Sequence, residues 1–468
     1  MKILKGNSNL ALFFAATVIT FTTVPQLVES KEQIQQGSQQ KLQQLQDNDI
    51  SKQFDDKCPV YGCVLLPRDI YFDEQAQAAL KALRMRAADD ESSSVSSSTM
   101  ASDSETTMSV QQAMEMLKYL GSEDQATLTL IGYKGGSLSE QVNQDRAFVI
   151  SPYKVNSGNK NISDTQLIGV FDGHAKFGER VSEYSVSTLP MVLSQKLEKI
   201  LEKAGDTLLE QQTAEIQNAL VETFVEVDKT APADQSGGCT ASVVLQIGRW
   251  AFVANAGDSR SFIASYNKRT KEVKIEYISK EDKPHIPEER KRIESMNGQV
   301  YVPPPDKLRM GASSRVMFVD KISGRTHGLA MSRSIGDWAA GEKGVIPDPT
   351  VDVLDVAKLI RGGEQCDVSS ISVGVNGNSH LDPSCPESDG EIEVFAVSAT
   401  DGLLDFVPID TIAKTVATAL YIDDTLHPLS ACEALITTAA NEWWKAKNGR
   451  YRDDIAISIS KIKLNDTR

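Results

Sequence analysis

Positive charge is in deficit along this chain. Lysine and arginine number 49 against 64 aspartates and glutamates, for a net charge of −15. That balance repels nucleic-acid phosphate and anionic membrane surface instead of recruiting them. Cysteine and histidine are also scarce, at six and five residues, and no CxxC pair occurs, which argues against a zinc centre. Long apolar runs are missing too: the most apolar stretch, Leu10 to Val24, is rich in threonine and falls short of the about 20 residues that a membrane span needs. What is present is a composition 40% hydrophobic and only 24% charged. Apolar residues run along most of the length, so collagen-like, coiled-coil and wholly disordered chains are excluded, and one large or two to three small globular domains are expected.

The first 30 residues read as an address and not as fold. Lys2 and Lys5 precede the apolar run, and Val28-Glu29-Ser30 carries small residues at its outer positions, the pattern of a cleaved signal peptide. A retained signal anchor is the rival reading. The expected location is the secretory pathway or the exterior, with anchored or organelle-targeted forms as alternatives, and no stable membrane insertion after cleavage. Such a route permits disulfides. Cys58 with Cys63 and Cys366 with Cys385 are the pairs to test, against the alternative of six free thiols. Cys239 and Cys432 sit in apolar surroundings and read as buried thiols.

Residues 31–127 are expected to be a largely flexible region, Gln-rich at first and dominated by Ser, Thr, Asp and Glu from Asp89 to Ser109, because such segments cannot offset their ordering entropy by burial. Short helices are expected at Phe72 to Arg86 and Val110 to Leu120. From residue 128 the texture changes to apolar strands with turn signals: TLTLIGY, RAFVIS, QLIGVF, ASVVLQIG, RWAFVANAG, EVKIEYIS, EVFAVSA and DIAISISKI. Helical stretches at about Gly178 to Lys203, Leu208 to Lys229, Ile409 to Leu420 and Ser430 to Lys447 separate groups of strands. Grouped strands with paired helices favour an α+β layered domain over a doubly wound parallel sheet.

Several of these strands run straight into carboxylates. QLIGVF leads into Asp172-Gly173-His174, AFVANAG into Asp258, EVFAVSAT into Asp401-Gly402, and Asp453-Asp454 opens the last strand. An unpaired charge is expensive at a buried strand end. No run of lysine or arginine accompanies all of these residues, so hard divalent cations with oxygen ligands are the economical compensation.

One Asp-Gly is more often a turn than a metal site, but the order of the motifs is informative. NQDR at Asn143, VFDGHA at Val170, GGCTA at Gly237, ANAGDSR at Ala254, DKPHIPEERKRIESMNGQV at Asp282, GLAMSRSIGD at Gly328, ATDGLLDF at Ala399 and RDDIAISI at Arg452 occur in that succession. The series resembles the metal-dependent Ser/Thr protein phosphatases of type 2C (the PPM family) over residues 128–463, leaving 464–468 as a tail. The resemblance implies a four-layer αββα sandwich of two antiparallel sheets flanked by helices. It implies two Mg²⁺ or Mn²⁺ ions, held by Asp145, Asp172, the Gly173 carbonyl, Asp401 and Asp453 with support from Gln144, and a third, weaker ion at Asp258 and Asp405. Phosphoserine or phosphothreonine in proteins would be hydrolysed by direct attack of a water bridging the metals, with His174 as general acid and no phosphoenzyme. Asp172 is the carboxylate implied to bridge both ions.

The chain departs from the family pattern in places. The arginine that grips phosphate has no counterpart, SLSEQV standing in that stretch with only Lys134 nearby; the histidine of DHKP is replaced by Asp282; and Asp454 stands where asparagine is usual. Thr240, Ala241 and Gly336 read as packing and turn positions, Ser332-Arg333 as a loop support, and Glu288 to Arg292 as the solvated face of a helix begun by Pro287. Pro303 to Thr326 and Ala357 to Gly390 read as surface insertions. Strand alternation places Asp453 with Ile455, Ile457 and Ile459 on the face expected between the sheets, and turns Asp454 away from the metals, where Asn should be tolerated. The partners expected are phosphoproteins, not nucleic acid, and the protein is expected to be a monomer. A catalytically silent pseudophosphatase serving as a binding module is the alternative function, and a two-metal nuclease a further rival disfavoured by charge.

Overall fold

A computed structural model describes residues 121–136, 141–155, 165–202, 210–233, 236–309, 312–319, 324–360 and 392–464, with short strands at 64–65, 372–373 and 379–380. The expected signal peptide, the two amino-terminal helices and the four cysteines at 58, 63, 366 and 385 lie outside the described residues.

The long strands are, in chain order, β1 (Gln125–Leu130), β2 (Arg146–Ile150), β3 (Thr165–Phe171), β4 (Ala241–Ile247), β5 (Trp250–Ala256), β6 (Arg260–Asn267), β7 (Glu272–Ile278), β8 (Thr350–Asp355), β9 (Ile392–Ala399) and β10 (Ile455–Ile462). The helices used below are α1 (Gly178–Leu201), α2 (Glu210–Thr230), α3 (Pro287–Ser295), α4 (Ile409–Ala417) and α5 (Pro428–Lys447). All eight strands expected from alternation are present; β6 and β8 add to them. The chain folds into two six-stranded sheets. In one, β2-β3-β4-β5-β8 follow the short strand Val64–Leu65; in the other, β7-β6-β9-β10-β1 are closed by Gly121–Ser122. Every pairing within both sheets is antiparallel.

Helices α1 and α2 cover the first sheet, where Val181, Leu189, Leu193, Leu220 and Phe224 pack on Phe148, Phe171, Leu245 and Phe252. On the second sheet, α4 and α5 bring Ile412, Val416, Leu435 and Ile436 against Leu128, Phe262, Phe395 and Val397. The order of layers is therefore helix, sheet, sheet, helix. Among the described residues no helix is long and apolar enough to cross a membrane.

The inter-sheet layer corrects one expectation. Ile455, Ile457 and Ile459 pack against α4 and α5, not between the sheets. Ala456 on the opposite face meets Ala147 and Val170, while the Ser458 hydroxyl donates to the Gly169 carbonyl at 3.2 Å. Small polar residues fill this half of the interface. The Ser242, Ser261 and Ser398 hydroxyls form a chain at 2.8 and 2.7 Å, and Thr127 meets Ser458 at 2.8 Å. Each of these inter-sheet hydroxyls has a partner, as a dry layer requires. Larger apolar side chains, Val149, Ile168, Val253, Ile263 and Val394 among them, fill the remainder.

Two sequence-based expectations outside the sandwich change as well. The segment Pro303 to Thr326 is not a plain surface insertion, because Arg315–Val319 pairs with Gln299–Tyr301 on one side and with Thr326–Leu329 on the other. This small sheet buries Val316 and Leu329 with Ile293, Met331 and Val345. Most of Ala357 to Gly390 lies outside the described residues. Nor is Glu289 on a solvated face. It is only 4% exposed and accepts from Arg333 Nη2 at 2.6 Å, Arg292 Nη2 at 2.6 Å and Ser332 Oγ at 2.6 Å, which ties α3 to the Met331–Asp337 loop.

Candidate metal and catalytic site

The carboxylates converge because antiparallel pairing brings the ends of β1, β3, β5 and β9 to the same rim as the beginnings of β2, β6 and β10. Asp172 follows β3, Asp258 lies in the turn between β5 and β6, Asp401 opens the short helical turn Asp401–Leu404 after β9, Asp145 immediately precedes β2, and Asp453 with Asp454 precedes β10. One carboxylate oxygen from each of Asp172, Asp258 and Asp401 lies within 4.8 Å of the others. Asp258 is thus part of the central trio and not a remote position. Asp405 stands at its margin, where burial and Asp258 raise its carboxyl while Lys283 opposes them.

Backbone bonds hold these side chains. Asp172 exchanges two bonds with Thr240, its N–H donating to Oγ1 at 3.0 Å and its carbonyl accepting the Thr240 N–H at 2.9 Å. The Gly173 N–H donates to the Gln144 carbonyl at 3.1 Å, and a Cβ at Gly173 would lie 2.5 Å from that oxygen, so glycine is the only residue this approach accommodates. Asp282 accepts the Gly257 N–H at 2.9 Å and its own carbonyl accepts from Ser332 N at 2.8 Å. The residue standing where histidine is usual therefore ties the Asp258 turn to the Ser332 loop.

The electrostatics are those of carboxylates lacking enough positive charge. Burial, reinforced by Asp454, drives the Asp145 carboxyl well above the ordinary range, the Thr400 hydroxyl acting against it and Asp453 and Asp401 adding to the rise. Burial and then Asp145 and Asp401 do the same to Asp172, and burial with Asp258 and Asp453 pushes Asp401 to about 8. Among the described residues no donor makes a hydrogen bond of ordinary geometry with either buried oxygen of Asp145 or with Asp258 Oδ1. A hard cation suits this set: several carboxylate oxygens, closely spaced, with buried lone pairs unused.

Two lysines reach the rim. Lys283 Nζ lies 2.7 Å from Asp258 Oδ2. Lys134, the weak candidate for gripping phosphate, instead lies 3.2 Å from Asp453 Oδ1 and 3.1 Å from Asp454 Oδ2. Asp454 does face away from the trio, its oxygens accepting the Gly132 N–H at 2.5 Å and the Gln144 N–H at 3.1 Å. Gln144 donates from Nε2 to the Ala175 carbonyl and to Glu179, each at 3.0 Å.

His174 stands beside the trio with its Nε2 2.5 Å from Asp337 Oδ2. Burial acts to lower the imidazole pKa, but the Asp337 carboxylate overrides it, so the net shift is upward and favours the charged ring. A three-stranded sheet of Gly173–His174, Gly238–Cys239 and Ile335–Gly336 sets this contact. A Cβ at Gly238 would lie 2.2 Å from Asp337 Oδ2, so glycine opens the space the pair occupies. Asp337 itself is left-handed at φ 52° and accepts the Ser334 hydroxyl at 2.8 Å. Sequence reasoning did not pair Asp337 with His174; 163 residues separate them. A cavity of about 470 Å³ opens here, lined in part by His174, Arg315, Phe318, Met331 and Trp338.

The family model for protein phosphatase 2C matches residues 131–443. Similar proteins include two from Arabidopsis thaliana. One, named probable protein phosphatase 2C 35, is 26% identical over 65% of this chain and 75% of its own length. The other, probable protein phosphatase 2C 73, is 24% identical over 68% and 74%. The fold is also that of a serine-threonine phosphatase 2C from Toxoplasma gondii, matched at 17% identity with a TM-score of 0.52 over 73% of this chain and 95% of that one. With the family model covering more than half of its length, the chain belongs to the protein phosphatase 2C family.

Proposed function

We propose that this protein hydrolyses phosphoserine and phosphothreonine in proteins by direct attack of water, using two Mg²⁺ or Mn²⁺ ions, with a third, weaker one at the margin. The single observation that carries the reading is the convergence of Asp172, Asp258 and Asp401 within 4.8 Å, next to a buried Asp145 whose oxygens have no hydrogen-bond donor among the described residues. Asp145, Asp172, the Gly173 carbonyl, Asp401 and Asp453 are the groups that would hold the two ions, and Asp258 with Asp405 the third. Divalent ions in such a set supply charge that activates water and stabilises phosphate oxygens.

The chain's own groups do the rest. His174, whose charged form Asp337 favours, donates its proton to the departing serine or threonine oxygen, which is a poor leaving group as an alkoxide. Asp337 orients the imidazole by taking Nε2, so the proton to be donated reaches the leaving oxygen when that hydrogen bond is exchanged for one to substrate. A covalent intermediate on either cysteine among the described residues is disfavoured: Cys239 and Cys432 are buried free thiols, burial pushes Cys239 up to about 12 and Cys432 further in the same direction, and the thiolate is the nucleophilic form.

The test is turnover of p-nitrophenyl phosphate and a phosphopeptide with Mn²⁺ or Mg²⁺, abolished by a chelator. Folded protein without turnover at any concentration of either ion would identify a pseudophosphatase that binds and does not cleave. The proposal extends to residues 1–30 as a signal peptide and to a secretory location; fractionation of carboxy-terminally tagged protein tests this, and an intact first segment on cytosolic protein refutes it.

A further inference from the structure

The negative charge at this rim is unevenly compensated. Asp145 and one oxygen of Asp258 have no hydrogen-bond donor among the described residues, whereas Asp453 is fully engaged by the chain itself. Its Oδ2 accepts the Tyr451 hydroxyl at 2.9 Å, and its Oδ1 accepts the Asp454 N–H at 3.1 Å and faces Lys134 Nζ at 3.2 Å. The same ammonium lies 3.1 Å from Asp454 Oδ2 and 3.4 Å from Gln144 Oε1.

Lys134 is seated there by backbone. Tyr133 and Arg452 exchange two main-chain hydrogen bonds of 2.8 Å, which fixes the segment carrying Lys134 alongside the segment carrying Asp453. The Lys134 N–H donates to Gln141 Oε1 at 2.8 Å. Gln144 is neutral where a carboxylate would add charge. The group formed by Asp453, Asp454, Gln144 and Lys134 therefore carries a formal charge of only about −1, against about −3 for Asp145, Asp172, Asp258 and Asp401 taken with Lys283, which pairs with Asp258.

We propose that Lys134 is an internal counter-cation of the metal centre, which occupies Asp453 in the metal-free protein and is displaced when a divalent ion binds there. This rests on the assignment of Asp453 to the metal set. One consequence is a pair of sites of unequal strength, the weaker set by competition between the ion and the chain's own ammonium. A second is that the displaced amine, released from Asp453 and Asp454, becomes more open to reagents in the loaded protein.

The test reads metal binding and not turnover. Full-length wild type, Lys134→Met and Lys134→Arg are titrated with Mn²⁺, free ion being counted by electron paramagnetic resonance. Lys134→Met should tighten the site at Asp453 by about tenfold, since it removes a like charge within a few ångströms of the ion; Lys134→Arg should stay near wild type. Unchanged or weakened binding in folded Lys134→Met overturns the proposal. Acetylation of wild-type Lys134 by an N-hydroxysuccinimide ester, read by peptide mass spectrometry, needs no variant: labelling should rise as Mn²⁺ is added, and labelling that stays flat across saturation overturns the proposal as well. Wild type that binds no Mn²⁺ overturns both this inference and the function on which it rests, whereas normal binding with no response at Lys134 overturns the inference alone.

Discussion

Asp453 and Asp454 are neighbours whose amide replacements should fail in opposite ways. Asp454 is 2% exposed, and its two oxygens accept two different backbone N–H groups, Gly132 at 2.5 Å and Gln144 at 3.1 Å. Asparagine brings one oxygen and one NH₂, so in either orientation an N–H group is turned toward another. One buried backbone donor is left unpaired, costing about 1–3 kcal/mol. The surviving bond changes from charge-assisted to neutral, which costs about 1 kcal/mol more. Asp454→Asn should therefore lose about 2–4 kcal/mol, seen as a Tm lower by about 4–8 °C at about 2 °C per kcal/mol for a domain of this size. Below that Tm and with saturating Mn²⁺ it should keep most of its activity, because its oxygens face the loops and not the trio. Asp453→Asn should behave in the reverse manner, with a Tm in chelator lowered less than that of Asp454→Asn but a smaller rise than wild type on adding Mn²⁺. Scanning calorimetry of both variants, with and without Mn²⁺, separates the two. A wild-type Tm for Asp454→Asn together with a full Mn²⁺ response for Asp453→Asn would refute the side-chain assignment.

Further expectations follow from the same geometry. His174→Ala should slow phosphoserine peptides far more than p-nitrophenyl phosphate, because p-nitrophenolate leaves without a proton; equal losses on both would exclude the general-acid role. Asp337→Asn removes the group that raises the His174 pKa, and since the acid form is lost as pH rises through that pKa, the alkaline limb of the activity profile should move to lower pH. Glu289 is held at about 2 against an ordinary 4.5: burial works to raise it, and Arg292, Arg333 and Ser332 prevail. A depressed carboxyl stabilises the fold above its unfolded pKa, so about 3 kcal/mol should be present at neutral pH and drain away as pH falls from about 5 toward 2. Urea unfolding of Glu289→Gln should show that pH dependence missing. Binding of Mn²⁺ to the folded state alone should raise stability by about 2.7 kcal/mol at a hundredfold excess over Kd, and a Tm indifferent to Mn²⁺ and chelator would remove the metal centre from the account.

What the sequence made legible is what local pattern encodes. Apolar strands ending in Asp172, Asp258 and Asp401 identify the rim, because a strand carried into the core leaves its last polar residue at a sheet edge. The partners of those residues are set by contacts far apart in the chain, such as His174 with Asp337 or Glu289 with Arg333, and no local pattern encodes them. Charge patterning failed at Glu289 because a short run of mixed charge has the same composition whether it faces water or a buried arginine pair.

The β10 register shows a limit of a different kind. Alternation correctly divides Ile455, Ile457 and Ile459 from Ala456, Ser458 and Ser460, yet it gives the wrong layer to each set. In a half-exposed sheet the apolar face is the buried one, and the assignment follows at once. In this sandwich both faces of β10 are buried, so hydrophobicity no longer ranks them and side-chain volume does. The isoleucines meet helices, whose curved surfaces leave gaps that branched side chains fill, while the facing sheet meets alanines and serines. A serine there is admissible only because another strand presents its partner, as Ser261 does for Ser242 and Ser398. Sheet-spanning hydroxyl pairs of this kind explain why the polar face lies inside: each hydrogen bond is completed across strands that are distant in sequence, so the feature that makes the face buriable exists only once the fold has formed.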